Sequence, residues 1–106
     1  MSKLFLKGKT KRYNLKSPTE NGITHWINVC MFFDQNGIIT GSGISLINKK
    51  VYSFEIFGTK KDSIIEFVKI HPEIKSSISY KGILKDDQIE LISTHSSGIL
   101  NFITKD

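Results

Sequence analysis

Residues 51–70 read VYSFEIFGTKKDSIIEFVKI, and this stretch decides the fold. Apolar and β-branched residues alternate with polar ones on both sides of the turn-forming residues 58–62. An alternation with a period of two predicts two antiparallel strands joined by a tight turn. It leaves Glu55 and Glu66 pointing outward. Across the chain, the same alternation predicts an inward set of Phe54, Ile56, Ile65, Phe67, Ile78, Tyr80, Leu84, Ile89, Leu91, Leu100 and Phe102.

The same pattern continues on both sides of this hairpin. Further alternating runs, each bounded by Gly, Asn, Pro or Lys-Asp, lie at 3–15, 25–33, 37–46, 77–84, 88–94 and 98–104. Their short connections favour an antiparallel meander. Gly41 and Gly43 share one strand face, which indicates strong coiling of the sheet. We therefore expect an all-β, single-domain protein over 1–106, an up-and-down meander of about eight strands closing into a small barrel.

The order of glycines and aromatic residues resembles that of a known superfamily. The residues concerned are Gly41-x-Gly43, Tyr52-x-Phe54-x-Ile56-x-Gly58, Ile65-x-Phe67-x-Lys69, Tyr80-x-Gly82-x-Leu84, Ile89 and Gly98-x-Leu100-x-Phe102. This order is similar to that of small meander barrels of the calycin (lipocalin- and avidin-like) superfamily. The resemblance implies a barrel whose interior holds a ligand. It carries over no functional residue, because Ser45, Leu91 and Ser93 depart from the superfamily's pattern.

Alternation also suggests where a ligand would bind. Lys69 shares the inward face of its strand with Ile65 and Phe67, and a barrel of eight strands has room for side chains or one small ligand. A lysine and a tyrosine at the barrel mouth could hold an anionic or polar group. The alternative is that Lys69 ends its strand and extends to water. The first function predicted is therefore non-enzymatic binding of a small apolar or anionic ligand. The predicted ligand-binding residues are Trp26, Phe54, Phe67, Lys69 and Tyr80.

The run from Trp26 to Phe33 is apolar on both of its alternating faces. Such a strand is either covered on both sides or meets a partner. The second function predicted is therefore protein interaction, as an inhibitor, immunity protein, accessory subunit or homodimer. The face predicted to bind the partner consists of Ile27, Val29, Met31 and Phe33. Cys30 lies in the same run, where a buried, unreactive thiol is expected.

The net charge of +5 lies in the first segment of the chain. Residues 1–16 carry six cations and no acid, whereas the other ninety residues carry nine cations and ten acids. Lysines of this kind commonly protect the exposed edge of a sheet, which is the interpretation we favour. Binding of an acidic protein, or of nucleic acid through phosphate contacts and aromatic stacking, remains as an alternative.

No pattern in the chain predicts catalysis. His25, His71 and His95 are separated and form no metal-ligand spacing, and His71 and His95 lie beside turn signals that predict exposure. Thr40-Gly41-Ser42-Gly43 is neither a nucleophile elbow nor a phosphate loop. We expect a non-enzymatic protein without metal or cofactor. The N-terminus lacks an apolar signal region and no run is long enough to span a membrane, so we expect a cytoplasmic protein.

Overall fold

The computed structural model describes residues 2–13 and 22–103, which form a closed barrel of eight antiparallel strands in chain order. Each strand pairs with the next, and the first pairs with the last. The predicted all-β meander barrel is confirmed. No helix in these residues is long and apolar enough to cross a membrane. The strands are β1 (Ser2–Arg12), β2 (Ile23–Phe33), β3 (Ile38–Ile47), β4 (Lys50–Lys61), β5 (Ile64–His71), β6 (Ser76–Leu84), β7 (Gln88–Ile92) and β8 (Ser96–Phe102), with a 3-10 turn at Pro72–Ile74.

Turn chemistry fixes the register of the hairpins. Asn48 and Lys49 connect β3 to β4, and both have positive φ angles, 48° and 67°. This is the left-handed two-residue turn that matches the twist of antiparallel strands. In the preceding hairpin, the Asp34 carboxylate accepts hydrogen bonds from the backbone N–H groups of Asn36 (2.8 Å) and Ile38 (2.9 Å). The turn predicted at Asn36-Gly37 is confirmed.

A bulge in β2 changes the faces predicted for this strand. The register shifts between Ile27 and Cys30, and Asn28 adopts a positive φ of 53°. The extra residue of a bulge reverses the alternation that follows it. Consequently Trp26 is inward before the bulge, and Val29, Met31 and Phe33 are inward after it.

The partner-binding face predicted on this strand is therefore wrong as an exposed surface. Val29, Met31 and Phe33 are buried in the core, and only Ile27, at the bulge, is exposed (37%). Cys30 is half-buried on the outer side rather than enclosed. The protein-interaction hypothesis loses the continuous apolar face on which it was based.

The core lies inside the barrel, and the inward set predicted from alternation agrees with it. Buried members of that set are Phe54, Ile56, Ile65, Phe67, Tyr80, Ile89, Leu91 and Leu100, while Ile78, Leu84 and Phe102 are half-buried against them. Glu55 and Glu66 are exposed, as predicted.

The interior differs between the two ends of the barrel. One end, here called the aliphatic end, contains Leu6, Met31, Ile39, Ile65, Ile89 and Leu100. The opposite end, here called the polar end, contains the buried side chains of Thr10, Trp26, Ser45, Phe54, Phe67, Lys69, His71, Tyr80 and Ser96. The polar end lies late in β1, β3 and β5 and early in β2, β4 and β8, as antiparallel pairing requires.

Candidate ligand site at the polar end of the barrel

Trp26 stands at the centre of the site and brings the predicted ligand-binding residues together. Its ring makes edge contacts with Phe54, Phe67 and Tyr80, at centroid distances of 5.4, 6.3 and 5.2 Å. Phe67 and Tyr80 stack on each other at 5.6 Å. Aromatic pairs in these geometries each contribute about 0.5–1.5 kcal/mol beyond area burial. The result is a rigid aromatic lining contributed by four different strands.

A glycine makes room for this lining. A Cβ placed on Gly43 would lie 2.5 Å from Cζ of Phe54, which no real Cβ approaches. The Phe54 ring therefore occupies the space that a side chain at position 43 would need. The same-face glycine that indicated coiling in the sequence also admits an aromatic ring to the interior.

Lys69 completes the predicted set, and its side chain lies inside the barrel. It is 1% exposed, so the alternative in which it extends to water is wrong. Its ammonium nitrogen is 3.8 Å from the centroid of the Trp26 ring and 4.6 Å from that of Phe54. These are cation–π distances, and such contacts reach about 2 kcal/mol when water is excluded. Burial nevertheless lowers the pKa of Lys69 from 10.5 to about 7.

His71 lies beside Lys69, and the sequence interpretation of this residue was wrong. It was expected in an exposed loop, but it ends β5 on the inward face and is 2% exposed. Its Nε2 is 2.9 Å from the Ser45 hydroxyl, whereas its buried Nδ1 has no hydrogen-bond partner. Burial, followed by the positive charge of Lys69, lowers the pKa of His71 to about 4. The imidazole is therefore neutral near pH 7.

The hydroxyl groups of Thr10 and Ser96 form hydrogen bonds with the Trp26 and Tyr80 side chains. The Trp26 indole N–H donates a hydrogen bond of 3.1 Å to the Thr10 hydroxyl. Burial raises the pKa of Tyr80, and side-chain hydrogen bonds with Ser96 and Thr10 oppose that shift. These contacts satisfy polar atoms that would otherwise be costly to bury. They fix the orientation of the Trp26 and Tyr80 rings.

The electrostatics of the polar end favour an anion. In the described ranges 2–13 and 22–103, no carboxylate forms an ion pair with Lys69, and no group of three His, Cys, Asp or Glu side chains could hold a metal ion. A buried ammonium without a counter-ion is unfavourable. An acidic group placed here would pair with the amine, and the unpartnered nitrogen of His71 offers a further polar contact.

Packed side chains enclose the site. Open clefts on the outer wall include one of about 740 Å³ beside β1, bordered by Trp26, and one of about 580 Å³ across β4 to β7, bordered by Phe67 and Tyr80. Lys69 lines neither of these two clefts. On β4, the half-buried ring of Tyr52 lies against His71, with 6.4 Å between the two ring centroids. A ligand would therefore have to displace side chains at the barrel mouth.

Sequence reasoning missed Thr10, Ser45, His71 and Ser96. A signal for two of them was present, because His71 continues the alternation of Ile65, Phe67 and Lys69, and Ser45 continues that of Gly41 and Gly43. Thr10 and Ser96 belong to the pair β1–β8, whose contact depends on closure of the barrel. Comparisons with models of known protein families, with curated proteins and with solved structures find no match for this chain.

Proposed function

We propose that the protein is a non-enzymatic binding barrel for a small molecule that carries an apolar or aromatic body and one acidic group. The observation that carries this proposal is the buried Lys69 amine, held over two aromatic rings with no carboxylate partner among the described residues. A group that is expensive to bury and has no structural counter-ion is a candidate functional group. A bound anion would supply the missing charge.

The residues divide into two roles. Lys69 would bind the acidic group, and the unpartnered Nδ1 of His71 would donate a hydrogen bond to it in the tautomer whose Nε2 accepts from the Ser45 hydroxyl. Trp26 and Phe54 would contact the apolar body, since apolar pockets with a few convergent polar groups are typical of ligand sites. Entry would require movement of Tyr52, the half-buried ring that contacts His71.

The protonation of the Lys69 amine determines how the affinity for an anionic ligand changes with pH. Only the protonated amine pairs with an anion, and its pKa in the free protein is about 7. Affinity for an anionic ligand is therefore expected to be greatest below pH 7 and to fall about tenfold per pH unit above it, until the ordinary value of a lysine is approached.

The test uses phenylacetate as a probe, with benzyl alcohol as an uncharged counterpart. Binding is followed by calorimetry and by emission of the single tryptophan, which lies against Lys69. The wild type should bind phenylacetate more tightly than benzyl alcohol. Lys69→Met should lose that preference by about tenfold or more, since one such pairing exceeds about 1.4 kcal/mol. Lys81→Met, which removes an exposed lysine of β6, is the matched control.

Native mass spectrometry of the protein purified from its own host provides an independent measurement. A bound small mass that is absent from Lys69→Met would support the proposal. No bound mass, together with no phenylacetate binding at millimolar concentration below pH 7, would contradict it.

A further inference from the structure

The outer wall of the barrel divides into two halves that differ in charge. Strands β8, β1, β2 and β3 are adjacent in the sheet, and none of them contains Asp or Glu. We call them the basic wall. Strands β4 to β7, here called the mixed wall, carry Glu55, Glu66 and Glu90 among their lysines. The cations of the basic wall are Lys3, Lys7, Lys9, Lys11 and Arg12, all on β1.

The closed barrel removes the explanation that the sequence favoured for these lysines. β1 is hydrogen-bonded to β2 on one side and to β8 on the other, so it has no free edge. Lysines that protect an edge strand from pairing are needed only where an edge exists. The prediction of a solvated edge strand is wrong, and the charge on β1 requires a different explanation.

The lysines form a row along β1, which has a strand of the basic wall on each side. Lys3, Lys7, Lys9 and Lys11 are exposed and occupy alternate positions of β1 with Phe5 between them. Alternate residues of a strand are about 6.8 Å apart, so Lys7, Lys9 and Lys11 present charge at that spacing, and Phe5 takes the position between Lys3 and Lys7. The only ion pairs between described residues in the two ranges lie elsewhere, at Lys81–Glu66 and Lys85–Glu90.

Aromatic side chains accompany the row. The Lys3 ammonium lies 5.8 Å from the centre of the Phe5 ring, and on β2 the cross-strand partners of Lys3 and Lys9 are Phe32 and His25. The open cleft of about 740 Å³ follows this row. Its lining includes Lys7, Lys9, Lys11, His25, Ile27 and Ile99.

We propose that the basic wall binds single-stranded nucleic acid without sequence preference. A row of cations that follows a flexible phosphate backbone, with rings beside it on which bases can stack, is the arrangement that sequence-tolerant binding of single strands requires. A duplex is a poorer fit because its bases are already stacked and this wall has no helix to enter a groove. Of the polar-end residues only Trp26, which is fully buried, borders the cleft on this wall, so the proposal does not depend on the small ligand.

The number of phosphate contacts predicts the salt dependence. Three to four contacts on a single strand give a slope of log affinity against log salt of about −2 to −3, which is about a 20- to 50-fold loss of affinity between 50 and 200 mM salt. Stacking on His25 adds a component that salt does not change. His25→Ala should weaken binding about fivefold with the slope unaltered.

The experiment measures fluorescence anisotropy of a labelled 15-nucleotide oligothymidylate across this salt range. The test variant combines Lys7→Gln, Lys9→Gln and Lys11→Gln. The control combines Lys61→Gln, Lys81→Gln and Lys85→Gln, exposed lysines of β4, β6 and the turn after β6, which removes the same charge from the side of the mixed wall. We expect the test variant to lose at least tenfold in affinity at 50 mM salt and most of the slope, while the control changes less than threefold.

Several outcomes would overturn the proposal. One is that the wild type does not bind the oligonucleotide at 20 mM salt. The others are that the two triple variants weaken binding equally, or that the slope of log affinity against log salt is near zero. Tighter binding to vesicles of phosphatidylcholine and phosphatidylserine, or to polyglutamate, with the same dependence on Lys7, Lys9 and Lys11, would assign the basic wall to a membrane or to an acidic protein instead.

Discussion

The two ends of the barrel interior are built from the same strands but have different chemistry. The aliphatic end is filled by Leu, Ile and Met side chains that are 0% exposed, as in an ordinary hydrophobic core. The polar end buries an amine, an imidazole and several hydroxyl groups around four aromatic rings. Burial of apolar groups is favourable, whereas burial of an unpaired ammonium is not. The aliphatic end therefore accounts for stability, and the polar end requires another explanation.

The free-energy cost of burying Lys69 supports this difference between the two ends. Lowering the pKa of Lys69 from 10.5 to about 7 corresponds to a cost of about 5 kcal/mol for the charged form. This cost is net of the cation–π contacts with Trp26 and Phe54, and it is a large fraction of the stability of a small domain. We infer that the polar end is retained for binding at the expense of stability.

The largest expected effect is that substitutions at the two ends change the free energy of unfolding in opposite directions. Leu100→Ala at the aliphatic end should lower the free energy of unfolding by about 2–5 kcal/mol, because it leaves a cavity. Lys69→Met at the polar end should raise it by about 2–3 kcal/mol at pH 6, since the buried charge is removed while the volume is kept. Urea denaturation followed by circular dichroism measures both. A loss of stability in Lys69→Met would contradict the conclusion that the polar end lowers the stability of the protein.

The second prediction concerns alkaline pH. Between pH 7 and 10.5 the unfolded chain keeps the Lys69 proton that the folded protein has lost, so stability rises with pH. The rise in the free energy of unfolding should reach about 3 kcal/mol between pH 7 and 9.5, below the ordinary pKa of 10.0 for Tyr80. Lys69→Met provides the control and should show no such rise. Parallel curves for the two proteins would assign the pH dependence to other groups.

The third prediction concerns acid. The folded-state pKa of His71 is about 4, below the ordinary 6.5, so the unfolded chain takes up a proton first and stability falls as pH drops from 6.5 to 4. The loss should approach about 3 kcal/mol. It should be smaller in His71→Gln, and Leu100→Ala should retain it. Identical acid transitions in wild type and His71→Gln would show that His71 does not titrate in this way.

The smallest expected effect tests the packing between the two ends. Gly43→Ala places a methyl group against the Phe54 ring and should lower the free energy of unfolding by about 1–3 kcal/mol. The double variant Gly43→Ala with Phe54→Leu should recover part of this loss, since the smaller side chain leaves room. Trp26 emission should shift in the single variant because Phe54 contacts that ring. An unchanged stability would mean that Phe54 is free to move away.

Alternation predicted most of the fold because strand side chains follow a period of two until a bulge intervenes. It identified the inward face of Phe54, Ile56, Ile65, Phe67 and Lys69, and with it the aromatic site. It failed at Asn28, because apolar residues on both sides of the bulge look like an unbroken strand. It also failed at His71, since Pro72 was taken as the start of an exposed loop while β5 continues to His71.

For the basic first strand, the sequence predicted the position of the charge but not the neighbouring strands. Composition located the charge in the first strand, but only the pairing of β1 with both β2 and β8 excludes edge protection. Closure joins residues from the two ends of the described chain, and no local pattern specifies which strands become neighbours by closure. The contact of Thr10 with Tyr80 across the closed interior was unpredictable for the same reason.

The most direct test of the difference between the two ends is nuclear magnetic resonance titration of the Lys69 side chain, selectively observed through its Nζ and Cε nuclei and assigned with Lys69→Met. The structure predicts a pKa of about 7 in the free protein and a rise toward the ordinary lysine value when phenylacetate is added. A pKa near 10.5 without ligand would contradict the account, because it would place the amine in water or beside a carboxylate and remove the reason for an anionic ligand.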